Sequence, residues 1–214
     1  FLPRTEFDSY EDFKANYRLN IPEDFNFGFD IIDEWARQDP EKPALVWIND
    51  NFDEERLTFT DIKERSNQAA NFFKAKGIKK GDFVLLILKQ RIETWVCMVA
   101  LHKIGAIVIP GTFQLMPHDI EYRCNKAGVK MICTVDDAEL LANIESVRPQ
   151  CRALRHVAVV GEHIPEGFLD FRGEVKAYPK QFPRPSGAEG TNVHDLMLGY
   201  FTSGTTGMPK LIVH

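Results

Sequence analysis

Residues 200–210 read YFTSGTTGMPK, with four hydroxyl side chains and two glycines inside the six residues 202–207. Gly204 and Gly207 permit positive φ, so consecutive backbone N–H groups can point into one concavity. Thr202, Ser203, Thr205 and Thr206 add hydroxyl donors, and Lys210 adds a mobile positive charge. The nearest carboxylates, Asp195 and Glu189, lie upstream. Many donors, a cation and no adjacent acid suit a phosphate chain. The flanks, LMLGYF and LIVH, are short apolar runs of strand type, so the segment reads as strand, loop, strand. A loop over 202–209 is longer than the roughly two to five residues that a simple reversal needs.

Three readings compete for this segment. A solvated Ser/Thr/Gly turn explains most clusters of such composition. A Walker-type loop requires G-x-x-x-x-G-K-[ST] opening a helix. Here only two residues separate the glycines, Lys210 follows Pro209, and Leu211 carries no hydroxyl for magnesium. That reading fails. The third is by resemblance, and it depends on the elements that would position the loop.

The chain has 214 residues, 44% of them hydrophobic and 27% charged, which is enough to fold around a core as one large domain or two small ones. A net charge of −5 gives no general attraction for nucleic acid or an anionic membrane. Lys89, Arg91, Glu93 and Lys103 break up the most apolar stretch before it reaches the roughly 20 residues of a membrane span. The opening FLPRTEFDSYEDFK lacks the features of secretory or mitochondrial signals, and its first residue, Phe, suggests a trimmed chain. Cys97, Cys124, Cys133 and Cys151 form no CxxC pair and have apolar neighbours, so reduced core thiols, no metal site and a cytoplasmic location are expected. The six histidines, at 102, 118, 156, 163, 194 and 214, form no ligand-spaced pair and read as surface or packing residues.

An irregular opening is expected over 1–28. FDIIDEWARQDP then places Ile31, Ile32 and Trp35 at helical spacing, PALVWIND is strand-like, and residues 49–54 supply a turn. The next helix takes Thr60 as its N-cap, with Lys63 and Glu64 behind it; Ala69, Phe72 and Phe73 form its apolar face and Gly77 ends it. KAKGIKKGD reads as a solvated helix-ending loop, and Trp35, Trp47 and Trp95 read as core. From there strands FVLLIL, AIVIP, KMICTV and HVAVV alternate with helices IETWVCMVALHKIG, PHDIEYRCNKAG and DAELLANIESV. This alternation predicts a mixed, largely parallel α/β sheet covered by helices, with an α/β unit over 29–181. A Pro/Gly/Ser-rich linker is expected over 182–195, and the strand–loop–strand unit over 196–214.

With that order in place, YFTSGTTGMPK resembles the phosphate-binding signature of the adenylate-forming enzymes: acyl-CoA synthetases, luciferases and peptide-synthetase adenylation domains. FNFGFDIIDEWA, PALVWIND, LTFTDIKERSNQAANFF, GDFVLLIL, IPGTFQLMPHDIEYR and GFLDFRG resemble the N-terminal half of the medium-chain acyl-CoA synthetase branch. Of these, only the loop motif is sharp; PGT at 110–112, a lone tripeptide, reads rather as a strand-ending turn.

The resemblance implies a two-step ligation. A small carboxylic acid attacks ATP, assisted by Mg2+, to give an acyl-adenylate; coenzyme A then takes the acyl group as a thioester. It assigns Thr202, Ser203, Gly204, Thr205, Thr206, Gly207 and Lys210 to the β- and γ-phosphates and places no catalytic residue in this stretch. His214 matches a position on the strand after the loop, by analogy alone. Family members run to more than twice this length, so the chain alone is expected to be inactive. The strand that ends it is expected to associate with another copy, as a homo-oligomer, or to lose order after about Gly199. The alternatives are a non-catalytic α/β binding module, or adenylation chemistry of luciferase or peptide-synthetase type.

Overall fold

The computed structural model describes residues 1–204 and 207–214. Its centre is a five-stranded parallel sheet of order β4-β3-β5-β6-β7, formed by β3 (Phe83–Ile87), β4 (Ile107–Pro110), β5 (Met131–Val135), β6 (His156–Val160) and β7 (Leu169–Asp170). Leu85 pairs with Ile109 on one side and Ile132 on the other. Every residue of β5 is buried, as are Val84–Ile87 of β3. Near-continuous apolar runs of this kind mark strands covered on both faces.

Helices α4 (Ile92–Ile104), α5 (Pro117–Ala127) and α6 (Ala138–Val147) connect the strands. Gly105 (φ 79°) and Gly128 (φ 67°) end α4 and α5 in the left-handed conformation that glycine adopts without strain. The alternation read from the sequence is the observed one. GFLDFRG becomes β7 followed by the short helix α7 (Phe171–Val175).

The first third of the chain packs α3 (Phe59–Ala75) against α4, behind the antiparallel hairpin of β1 (Pro43–Ile48) and β2 (Glu54–Thr58). Thr58, not Thr60, caps α3. Its Oγ1 accepts from the Asp61 amide at 3.2 Å, and the Asp61 carboxylate accepts from the Thr58 amide at 2.8 Å, a closed capping box. The carboxylate three residues on selects Thr58, whereas Thr60 donates its hydroxyl to the Pro40 carbonyl.

The opening read as irregular contains one helix, α1 (Tyr10–Asn16), started by Ser9 accepting from the Asp12 amide at 3.1 Å. It buries no residue, so the sequence shows no apolar stripe there. A π-helical turn, Gly28–Asp33, leads into α2 (Glu34–Gln38). A Cβ on Gly28 would stand 2.5 Å from Lys103 Cγ, which is why this close approach needs glycine. Lys103 is fully buried, and its Nζ donates to Asp33 at 2.7 Å and Asn67 at 2.6 Å. One cation thus ties the π-turn, α3 and α4 together.

Three of the four lysines of KAKGIKKGD are paired, so the solvated reading holds only for the exposed Lys79. Lys74 meets Glu189 at 2.6 Å, Lys76 meets Glu174 at 2.6 Å, and Lys80 reaches both Asp195 and the Gly190 carbonyl at 2.7 Å. Lys74 and Lys80 thereby hold the stretch read as a linker, whose Arg184 also pairs with Asp30. Trp35 and Trp95 are 37% and 48% exposed, so they rim a surface cavity rather than fill the core. All four cysteines are free and buried.

The last element is an antiparallel hairpin of β8 (Gly199–Gly204) and β9 (Gly207–Val213). Leu198 bridges Val108 of β4 in parallel, and His214 exchanges backbone bonds with Leu198 (2.9 and 3.1 Å).

Candidate functional site

The hairpin grows from the edge of the sheet. With Leu198 level with Val108 and β8 running parallel to β4, the register puts Tyr200 near the end of β4 and Gly204 about 13 Å further on. The hydroxyl-rich segment therefore projects on the side where the parallel strands end. In open α/β sheets that side carries the ligand crevice, at the point where strand order reverses. Here the reversal lies at β3, flanked by β4 and β5.

The structure extends the ladder into residues read as loop. Thr202 pairs with Lys210 and Gly204 with Gly207, with a register irregularity between Thr202 and Gly204. Thr202, Ser203 and Gly204 are thus on β8, and Gly207 and Lys210 on β9. Thr205 and Thr206 lie outside the described residues. Strand pairing spends part of the backbone donor set that a free loop would offer, and the exposed Thr202 hydroxyl donates to the Lys210 carbonyl at 3.5 Å, while the exposed Lys210 side chain remains open to a ligand.

Helix α5 supports the hairpin. Tyr122 donates its hydroxyl to the Pro209 carbonyl at 2.9 Å, and its ring meets Phe201 edge-on at 6.1 Å. The Arg123 guanidinium lies 5.3 Å from the centre of the Phe201 ring while pairing with Asp119 at 2.9 Å. Burial opposes ionisation of Asp119, yet Arg123 and the Met116 amide hold its carboxyl below the usual range. Sequence reasoning missed Tyr122 and Arg123 as supports. The available signal was an aromatic and a cation set apart from the buried Ile120–Cys124 stripe of the same helix.

Two further groups mark the carboxyl ends of the strands. Lys89, two residues after β3 ends, adopts φ 52°, a left-handed conformation uncommon outside glycine. Its ammonium pairs with Asp137 at 3.0 Å and lies 4.5 Å from the centre of the Phe113 ring. Asp137 also caps α6 through the Leu140 amide, and that bond, with Lys89, keeps its carboxyl below the usual range. Asp136 accepts from the Glu162 amide at 2.8 Å and is held low chiefly by that bond. This end of the sheet is pinned by charge.

A shallow cavity of about 430 Å³ beside the hairpin is lined by His118, Glu121, Tyr122, Asn125, Lys126 and Met208. A separate apolar cavity of about 500 Å³ is lined by Trp35, Phe59, Trp95, Met98, His102 and Leu198 among others. His102, read as surface or packing, is buried with both ring nitrogens unpartnered, and burial pushes its pKa down to about 4. Among the described residues no group of three or more His, Cys, Asp or Glu side chains converges on a point.

Comparison with known proteins agrees with this geometry. The family described as "AMP-binding enzyme" matches residues 32–214. Mitochondrial acyl-coenzyme A synthetase ACSM3 of Pongo abelii is 35% identical over 214 residues, covering 97% of this chain and 36% of the relative. The mitochondrial ACSM1 of Mus musculus is 37% identical over 200 residues, covering 90% and 34%. An acyl-CoA synthetase structure from Brucella canis superposes with a TM-score of 0.81 at 26% identity, covering 97% of this chain and 38% of that one. The anthranilate CoA ligase AuaEII, solved with anthranoyl-AMP, gives 0.76 at 26% identity, covering 91% and 35%. The chain spans about a third of the length of these relatives.

Proposed function

The chain belongs to the AMP-binding enzyme family, and from that premise we propose that it supplies the triphosphate-holding segment of an AMP-forming acyl-CoA ligase. The observation that carries this reading is the hairpin of β8 and β9, projected past the strand ends and braced on α5 by Tyr122 and Arg123. Relatives named acyl-coenzyme A synthetase, and a neighbour solved with an acyl-adenylate, support the reaction class.

In the proposed reaction a carboxylate oxygen attacks the α-phosphorus of ATP and pyrophosphate leaves with the bonding electron pair. The thiol of coenzyme A then attacks the acyl carbon and AMP departs. The first step brings two anions together and moves charge onto the leaving group, so fixed donors are needed where that charge appears. Lys210 would offset charge on the β- and γ-phosphates. Thr202, Ser203, Thr205 and Thr206 would donate hydroxyl hydrogens, and Gly204 and Gly207 would let the backbone come close. Magnesium, bound to the nucleotide, supplies further charge neutralisation when present. The four buried free cysteines support a reducing compartment such as the cytoplasm. The name "mitochondrial" belongs to the relatives.

The test is a panel of carboxylic acids given to a protein carrying this chain at the full length of its relatives. The reading expects acid-dependent exchange of pyrophosphate into ATP, and thioester only when coenzyme A is added. Exchange that ignores the acid, or thioester formed without AMP release, would contradict it.

A further inference from the structure

Between β7 and β8 the chain crosses the whole width of the sheet: β7 closes one edge, and β8 starts beside β4 at the other. The first part of the crossing is held on α3 by side-chain amides that donate to its carbonyls. Asn67 reaches Lys180, Gln68 reaches Tyr178 and Asn71 reaches Gln181, each at 2.9 Å. The last part, which leads directly into the hairpin, is held by Lys80.

Lys80 is presented by a closed turn. The Asp82 carboxylate accepts from the Lys79 amide at 2.9 Å, and the Asp82 amide donates to the Lys79 carbonyl at 3.1 Å. The Gly81 amide donates to the Gly105 carbonyl at 2.9 Å, fixing the turn to the end of α4. The Lys80 stem and the Thr191 methyl both lie across Gly105, where a Cβ would stand 3.1 Å from Lys80 Cγ and 3.0 Å from Thr191 Cγ2. From this seat the ammonium donates to the Gly190 carbonyl and pairs with Asp195, both at 2.7 Å. Only 29% and 31% of the two charged side chains is exposed, so the pair is less screened than a surface one. Asp195 also closes its own turn, accepting from the Asn192 amide at 2.6 Å. Two residues on, the Met197 carbonyl accepts from the Val108 amide at 3.1 Å and the Met197 amide donates to the His214 carbonyl at 2.7 Å. There the hairpin leaves the sheet.

We infer that Lys80 is a positioning residue for the phosphate-holding hairpin, an inference that rests on the function proposed above. Lys80 acts through the hairpin root, and Tyr122 fixes a second point at Pro209. Two separated supports set a direction, whereas one leaves a pivot. A rise of about 3.3 Å per residue puts Gly204 about 20 Å from Leu198, so a tilt of about 3° at the root displaces the tip by about 1 Å. Misplacement on that scale costs up to about 10²-fold in rate.

The test uses a protein carrying this chain at the full length of its relatives. In Lys80→Ala, amide exchange in β8 and β9 should quicken about fivefold, the scale of one ion-paired hydrogen bond, with β5 unchanged. Pyrophosphate exchange at saturating ATP should fall about tenfold, and Lys80→Arg, which keeps charge and reach, should restore most of it. Asp195→Asn keeps an acceptor for the Asn192 amide but loses the charge; it should quicken the same amides, and it decides where Lys80→Ala fails to fold. Hairpin amides that stay at the wild-type rate, equal quickening in β5, or wild-type pyrophosphate exchange in Lys80→Ala would each overturn the inference. A wild-type protein without acid-dependent exchange would instead overturn the ligase reading on which it rests.

Discussion

Tyr122 of α5 donates its hydroxyl to the carbonyl of Pro209, at 2.9 Å and 87 residues away in sequence. Pro209 lies one residue before the cation assigned to phosphate, so this bond joins the scaffold to the site. Tyr122→Phe removes it while keeping the ring against Phe201. A partly buried neutral hydrogen bond contributes about 1 kcal/mol, so amide exchange in the β8–β9 ladder should quicken about fivefold. Exchange in β5 should not change. Hydrogen exchange read by mass spectrometry separates the two.

Lys103 is the second point of leverage. Burial pushes its pKa down and that of Asp33 up, with their mutual attraction restoring only part of each shift. Lys103→Met leaves Asp33 and Asn67 facing an apolar group, and breaking a buried pair this way costs about 3–5 kcal/mol. Lys103→Met combined with Asp33→Asn should cost clearly less, since the orphaned charge is gone. Urea unfolding of the two variants provides the comparison, and equal losses would show that the pairing does not carry the effect.

His102 predicts an acid-sensitive fold. Its pKa is lowered on folding, from an ordinary value of 6.5 to about 4. The unfolded chain therefore takes up a proton as pH falls below 6.5 while the folded chain does not. The stability of the neutral buried ring is fully present above pH 6.5 and is lost progressively toward pH 4, by roughly 3 kcal/mol in total. His102→Leu, matching the apolar cavity beside it, should flatten this part of the stability–pH curve. Unfolding midpoints measured between about pH 4 and 7 test this; an unchanged slope would rule the histidine out.

Capping gives a prediction that also bears on how the sequence can be read. Thr58→Ala should cost about 1 kcal/mol, as loss of an N-cap does, and Thr60→Ala less. The same comparison shows where sequence reasoning stopped. Two threonines precede α3, and only the carboxylate of Asp61 at the right spacing distinguishes them. The sheet was legible because FVLLI is apolar throughout and MICTV is interrupted only by Thr134, the near-continuous pattern of strands covered on both faces.

Other features depend on partners that no local window contains. Lys74 meets Glu189 across 115 residues, so its loop read as solvated. By residue type Trp35 and Trp95 read as core, yet they rim an open apolar cavity. Within the candidate site, the residue types were legible in YFTSGTTGMPK, but the extent of the hairpin was not. Glycine and proline, at 204, 207 and 209, have weak strand preference, and bracing by Tyr122 and Arg123 is a tertiary effect.

The most direct measurement is acid-dependent pyrophosphate exchange into ATP by a protein carrying this chain at its relatives' full length, with Lys210→Ala and with Thr202, Thr205 and Thr206 replaced together by alanine. If the hairpin holds the departing pyrophosphate, each change should lower the exchange rate by about 10²-fold or more, the scale on which preorganised donors act. Folding, followed by urea unfolding, should be nearly unaffected, since Thr202 and Lys210 are exposed. Wild-type exchange rates in both variants would contradict the assignment of this hairpin to the phosphates.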